Sequence, residues 1–134
     1  AILSRNGEAL NLTRDHKPDT PDELARIRSA GGFVSTRRLL GKLAVSRSFG
    51  DFGYKRVGGS DIFKSIQGEG DLVLSVPEIR ETRINYLTDE FILIGCDGLY
   101  DVFTSMECVT FVREKLGQMP IGEQDPQAVA GELV

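Results

Sequence analysis

The run Phe91-Ile92-Leu93-Ile94, followed by Gly95-Cys96-Asp97-Gly98, constrains this chain more than any other feature. Four bulky or β-branched residues without polar alternation predict a short strand covered on both faces. Gly95 and Gly98 let that strand break, so Asp97 stands where extended chain gives way to a turn. Asp101 follows four positions later, embedded among Leu99, Tyr100, Val102 and Phe103. Asp-Gly is also an ordinary turn signal, in which the aspartate bonds its own backbone and the glycine takes a positive φ. The second carboxylate, set in apolar sequence, favours a site that uses charge, because buried acids need partners.

Several two-carboxylate chemistries separate on composition and spacing. A glycosidase pair flanks a sugar, and the chain has no Trp with which to build a carbohydrate platform. An aspartyl nucleophile of the phosphatase-and-mutase kind carries a second Asp two positions on, where Leu99 stands. An EF-hand loop needs oxygen ligands at alternate positions and a closing Glu, which this run lacks. What remains is a site for a hard divalent ion, with oxygens from Asp97 and Asp101 and water completing the shell.

The chain has 134 residues, enough for one domain with a sizeable core. Hydrophobic and charged contents of 40% and 27% are those of a soluble globular protein. A net charge of −4 argues against nucleic acid as the main partner. No apolar stretch approaches the ~20 residues of a membrane span, and no signal sequence opens the chain, so an intracellular protein without a membrane partner is expected. Cys96 and Cys108 lie on different predicted elements and have no nearby His, which predicts reduced thiols and no zinc site.

Along the chain, Asn6-Gly7 between two apolar runs predicts a tight hairpin over residues 1–12. The chain opens inside a strand without Met, which suggests a cut point at Ala1. Thr20-Pro21-Asp22-Glu23 predicts a capped helix start, with Leu24, Ile27 and Ala30 on one face and Gly31-Gly32 as the stop. Phe33-Val34, Leu43–Val45, Leu72–Val76 and, more weakly, Ile79–Ile84 read as strands. Residues 55–71, rich in Gly, Ser and mixed charge, read as a loop-rich insertion. Thr104-Ser105-Met106-Glu107 repeats the capping pattern, and the stripe Met106, Val109, Val112, Leu116, with Cys108 and Phe111 alongside, predicts a helix whose Met106 and Phe111 are core. Gln118 to Pro126 reads as a linker and Gln127 to Val134 as a helix cut short.

Three ordered blocks resemble the metal-dependent type 2C protein serine/threonine phosphatases, over residues 1 to about 116. They are Asn11-Leu12-Thr13-Arg14-Asp15-His16-Lys17-Pro18, the block from Arg38-Leu39-Leu40-Gly41-Lys42-Leu43-Ala44-Val45-Ser46-Arg47-Ser48 to Phe49-Gly50-Asp51, and Phe91 through Asp101. The resemblance implies an α+β fold, part of a four-layer α-β-β-α sandwich of two antiparallel sheets flanked by helices, incomplete at both ends. It implies Mg²⁺ or Mn²⁺ as cofactors, with Asp97 a ligand of the paired catalytic ions and Asp101 serving a more weakly held third. It implies phosphorylated proteins as substrates, hydrolysed by a metal-activated water.

Residues 52–71 match the family's flap, where Lys55, Arg56 and Lys64 are candidate contacts for an acidic phosphopeptide. Arg47 is a candidate substrate-steering residue or a pin between the flap and an acid such as Asp51. His16 lies outside the family's catalytic-histidine block and is expected to be a loop residue. The family's upstream Asp-Gly-His-Gly-Gly block and downstream Asp-Asn are absent from these residues. The expectation is therefore a partial catalytic domain spanning 1–134, inactive by itself and able to self-associate through exposed strand edges. A non-catalytic phosphatase-like scaffold or interaction module is the alternative.

Overall fold

A computed structural model describes residues 1–133. It is a mixed α+β structure with antiparallel sheets, and it divides into two compact units. One comprises Ala1–Arg14 together with the chain from Arg80 onward, the other Asp15–Ile79.

In the first unit, β1 (Ile2–Arg5) and β2 (Glu8–Asn11) form the expected hairpin. Asn6 and Gly7 both take positive φ, 50° and 78°, which matches the right-handed twist of the flanking strands. β5 (Asp89–Leu93) pairs antiparallel on the other side of β1, with Ile2 opposite Leu93, Leu3 opposite Ile92 and Ser4 opposite Phe91. One face of this sheet is covered by α4 (Ser105–Gly117) and α5 (Pro126–Leu133), so that Ile2 and Leu93 meet Cys108, Val109, Val112 and Val129. Ile92 and Ile94, on the other face, are 56% and 81% exposed. The expectation of a strand covered on both faces is thus corrected: an unbroken apolar run shows that the residues are apolar, not what packs on them.

The capping box of α4 forms as expected. Thr104 Oγ1 accepts from the Glu107 N–H at 3.3 Å, and the Thr104 N–H donates to Glu107 Oε2 at 2.8 Å. Met106 is not core. It stays 43% exposed because, at 100° per residue, it lies about 110° from the centre of the Cys108–Val109–Val112 stripe. Phe111 is half-buried and packs against the same cluster.

In the second unit, α1 (Pro21–Ser29) starts with Pro in its first turn and stops at Gly31, φ 84°. The expected reciprocal cap does not form. The Thr20 hydroxyl donates to the Lys17 carbonyl at 2.8 Å, and Glu23 is buried instead of reaching back to the helix start. β3 (Val34–Ser35) and β4 (Arg38–Leu39) make a two-residue ladder, with Thr36 and Arg37 both at positive φ in the turn. Ile27, Ala30, Leu39, Leu72 and Val73 form the core of this unit.

The other strand expectations are corrected. Leu43 makes one bridge to Leu39, and Leu74 one bridge to Arg47. Leu72 and Val73 donate to the Tyr54 carbonyl rather than to a ladder, and Ile79–Ile84 is irregular. Residues 52–71 contain two 3-10 turns, Phe52–Tyr54 and Arg56–Gly58, and the single-turn helix α2 (Ile62–Ser65). Among the described residues no helix is long and apolar enough to cross a membrane.

Candidate metal-binding site

Asp97 is the first residue of α3 (Asp97–Tyr100), one turn of helix that begins where β5 runs out. Cys96 before it is still extended, at φ −91° and ψ −177°. Asp101 closes the turn, its N–H donating to the Asp97 carbonyl at 2.7 Å. This i, i+4 relation places the two Cβ atoms about 5–6 Å apart on one face. The ordinary Asp-Gly turn is not what forms, since Gly98 is helical and absent from the positive-φ residues. Gly95 has a packing role: a Cβ there would lie 2.8 Å from Leu99 Cδ2, so glycine lets Leu99 fold over the strand end.

Both carboxylates are exposed despite their apolar neighbours in sequence, and neither is engaged by another side chain among the described residues. Two hard oxygen donors one turn apart have the chemistry that hard divalent cations take, and would fill only part of such an ion's shell. Among the described residues no group of three or more His, Cys, Asp or Glu side chains converges to complete it. An open cavity of about 680 Å³ adjoins α3, but Phe91, Leu93, Leu99, Val112, Leu116 and Val129 line it, so it adds apolar support and no ligands.

The candidate substrate contacts lie in the second unit. Arg47 donates to Glu23 Oε1 from Nη2 at 2.6 Å and from Nε at 3.0 Å, and reaches the Val76 carbonyl at 3.3 Å. Asp51 accepts from Ser48 instead. Lys55 is buried, its ammonium donating to the Ser48 and Gly50 carbonyls at 2.8 and 2.5 Å and to Ser75 Oγ at 2.8 Å. Arg56 donates to the carbonyls of Gly68 and Gly70 and lies over the Phe63 ring. Lys64 is exposed and pairs with Asp61 on the surface. His16 is a loop residue, with Nε2 3.4 Å from Glu78 and its carbonyl accepting from Ser46 N and Oγ.

Glu23 was legible in the sequence only as a helix-start residue. Buried to 2% exposure, it accepts from Arg47 and from Arg26, whose Nη2 lies 2.9 Å from Oε2. Burial pushes its carboxyl upward, but the hydrogen bonds from Arg47 and Arg26 outweigh that and hold it below the ordinary value. The available signal was an Arg three residues on, on the same helix face.

The sequence model of the family described as Protein phosphatase 2C matches residues 1–134. "Probable protein phosphatase 2C 4" of Paramecium tetraurelia is 36% identical over 134 residues, a match covering 100% of this chain and 42% of that protein. "Protein phosphatase 1B" of Mus musculus is 41% identical over 116 residues, covering 87% of this chain and 28% of that protein. A crystal structure of a phosphatase from Toxoplasma gondii superposes with a TM-score of 0.68 at 26% identity, covering 98% of this chain and 38% of that one. The chain thus spans less than half the length of each of these relatives, and the matches cover 87–100% of the chain itself. Its ordered blocks, its α+β architecture and a family match over every residue agree: the chain belongs to the protein phosphatase 2C family.

Proposed function

We propose that this chain is part of the catalytic domain of a metal-dependent phosphatase that removes phosphate from phosphoserine and phosphothreonine in proteins. The observation that carries the reading is the pair Asp97 and Asp101, held one turn apart at the end of β5 with both carboxylates unengaged by the fold. Asp97 is assigned to the catalytic Mg²⁺ or Mn²⁺ ions and Asp101 to a further, weaker ion. A divalent ion bound there supplies an activated water and offsets charge on the phosphoryl oxygens. The chain's own contribution is to hold two oxygens at fixed spacing on a turn packed by Leu99 and opened by Gly95.

Residues 52–71 are assigned to the flap. Contact with an acidic phosphopeptide falls to Lys64, whose only pair among the described residues is the exposed one with Asp61, because Arg47, outside the flap, and Lys55 are held by Glu23, backbone carbonyls and Ser75, and Arg56 by Gly68 and Gly70. Two carboxylates leave most of a Mg²⁺ shell to water, so the chain by itself is expected to be inactive.

The test is hydrolysis of a phosphoserine peptide by the full-length protein with added Mn²⁺. Asp97→Asn is expected to lower kcat/KM by about 100-fold or more, beyond what a change in the groups around a metal shell costs, and Asp101→Asn to raise the metal concentration required. Undiminished turnover by Asp97→Asn would remove the assignment. Manganese-stimulated turnover by residues 1–134 alone would overturn the inactivity.

A further inference from the structure

Lys55 is a buried charge with no part in metal or substrate binding. It is 3% exposed, and a lysine is seldom buried that far unless its charge is partnered. Its ammonium has three N–H donors, and three oxygens take them: the Ser48 carbonyl at 2.8 Å, the Gly50 carbonyl at 2.5 Å and Ser75 Oγ at 2.8 Å. Each of these partners is an uncharged oxygen. The Phe52 ring centre lies 5.9 Å from Nζ and adds a weaker attraction.

Two stretches of chain build this oxygen cage. Gly50 and Asp51 are consecutive residues at positive φ, 78° and 48°, and the tight turn they make brings the carbonyls of Ser48 and Gly50 onto one ammonium. Carbonyl dipoles that converge repel one another unless a cation lies between them. Ser75 comes from the opposite side, on the stretch that the Ser48 N–H reaches at the Leu74 carbonyl, 2.9 Å, and that returns the Leu74 N–H to the Ser46 carbonyl at 3.1 Å. Arg47 and Leu74 form a single bridge there. Charge-assisted bonds are roughly twice as strong as neutral ones, so the ammonium is a main tie between the turn and this stretch.

We propose that the Lys55 ammonium is a built-in cation, and that the oxygens of Ser48, Gly50 and Ser75 form a binding site for a primary ammonium group. Donor count sets the selectivity. A primary ammonium meets three acceptors with three donors, a hydroxyl offers one and a quaternary ammonium none. The turn carrying Asp51 is therefore held to Ser75 by charge and not by shape. A neutral side chain of similar volume leaves three acceptors without a donor in a buried place.

Amide hydrogen exchange on the full-length protein tests this at Ser48, Tyr54 and Leu74, whose N–H groups donate to the Leu74, Asp51 and Ser46 carbonyls. Lys55→Met, close in volume and uncharged, and Lys55→Ala are each expected to speed that exchange about tenfold or more, the scale of losing hydrogen bonds made by a charged group. Lys55→Ala removes the atoms of n-propylammonium. Added n-propylammonium chloride should therefore restore slow exchange in Lys55→Ala, while 1-propanol and tetramethylammonium chloride at equal concentration should not. Wild-type exchange in Lys55→Met would overturn the proposal, by showing that the charge is not used. Equal recovery with 1-propanol would also overturn it, in favour of simple cavity filling, and no recovery with n-propylammonium would show that the cage is not a cation site.

Discussion

Glu23 Oε1 accepts both Nη2 and Nε of Arg47, at 2.6 and 3.0 Å, from a site where the glutamate is 2% exposed. Its other oxygen takes Arg26, which also binds the carbonyls of Ser46, Asp71 and Leu72. One carboxylate thereby ties α1 to two irregular segments that have no sheet ladder of their own.

Removing that carboxylate strands two guanidinium groups. Glu23→Ala is expected to destabilise the chain by about 3–5 kcal/mol, the cost of breaking a buried pair from one side. Because the folded-state carboxyl is held below its ordinary 4.5, its contribution is full above that value and declines as pH falls below it. Urea melts of wild type and Glu23→Gln should therefore converge on acidification. Melts that stay equally far apart down to pH 3 would contradict the pairing.

Arg5 and Asp89 make a second pH-linked pair. Arg5 Nε lies 2.6 Å from Asp89 Oδ1, and the Asn85 N–H donates to Oδ2 at 2.9 Å. The Arg5 guanidinium, followed by the Asn85 N–H, lowers the Asp89 carboxyl to about 2. Its stabilising effect is present above the ordinary value of 3.8 and lost as pH falls toward 2. A carbon-detected NMR titration should place Asp89 below the ordinary value of 3.8, and Arg5→Ala should return it toward that value.

Thr104 caps α4 in both directions. Thr104→Ala is expected to cost about 1 kcal/mol in equilibrium unfolding, and Thr104→Ser much less, since the hydroxyl is what accepts from Glu107 N. Thr20→Ala should cost less than Thr104→Ala, because Thr20 makes no side-chain cap to its helix.

On the same helix, Val109→Ala and Met106→Ala separate position from residue type. Val109 is fully buried, and its truncation is expected to cost about 2 kcal/mol in lost transfer energy and residual cavity. Met106 is 43% exposed, and Met106→Ala should stay within about 0.5 kcal/mol in the same melts.

Asp97→Asn and Asp101→Asn should leave stability within about 0.5 kcal/mol, since neither carboxylate is engaged in the fold. A marked loss of stability in either variant would mean that these acids serve the fold and not a ligand.

The elements legible in the sequence were those set by local chemistry. Asn6-Gly7 could close only a tight turn, Pro21 and Gly31 bracket a helix, and Thr104 with Glu107 carries its own cap. Asp97 and Asp101 were legible as two acids four positions apart at a strand end, but the single helical turn that holds them was not. Less legible were runs such as Leu72–Val76, whose apolar character fitted a strand but whose backbone bonds go to Tyr54 and Ser46. Glu23 carried every sign of a helix cap and became a buried anchor instead.

The sequence by itself determined the Asn6-Gly7 turn and where α1 and α4 start and stop, because hydrogen bonds and steric limits within a few residues decide them. Only the tertiary structure decided which faces are covered and which charges are consumed. Ile92 is left open, while Glu23, Arg47 and Lys55 are drawn inward. Burial and ion pairing depend on which distant segments meet, as Arg47 meets Glu23 and Lys55 meets Ser75, and no local pattern encodes that meeting.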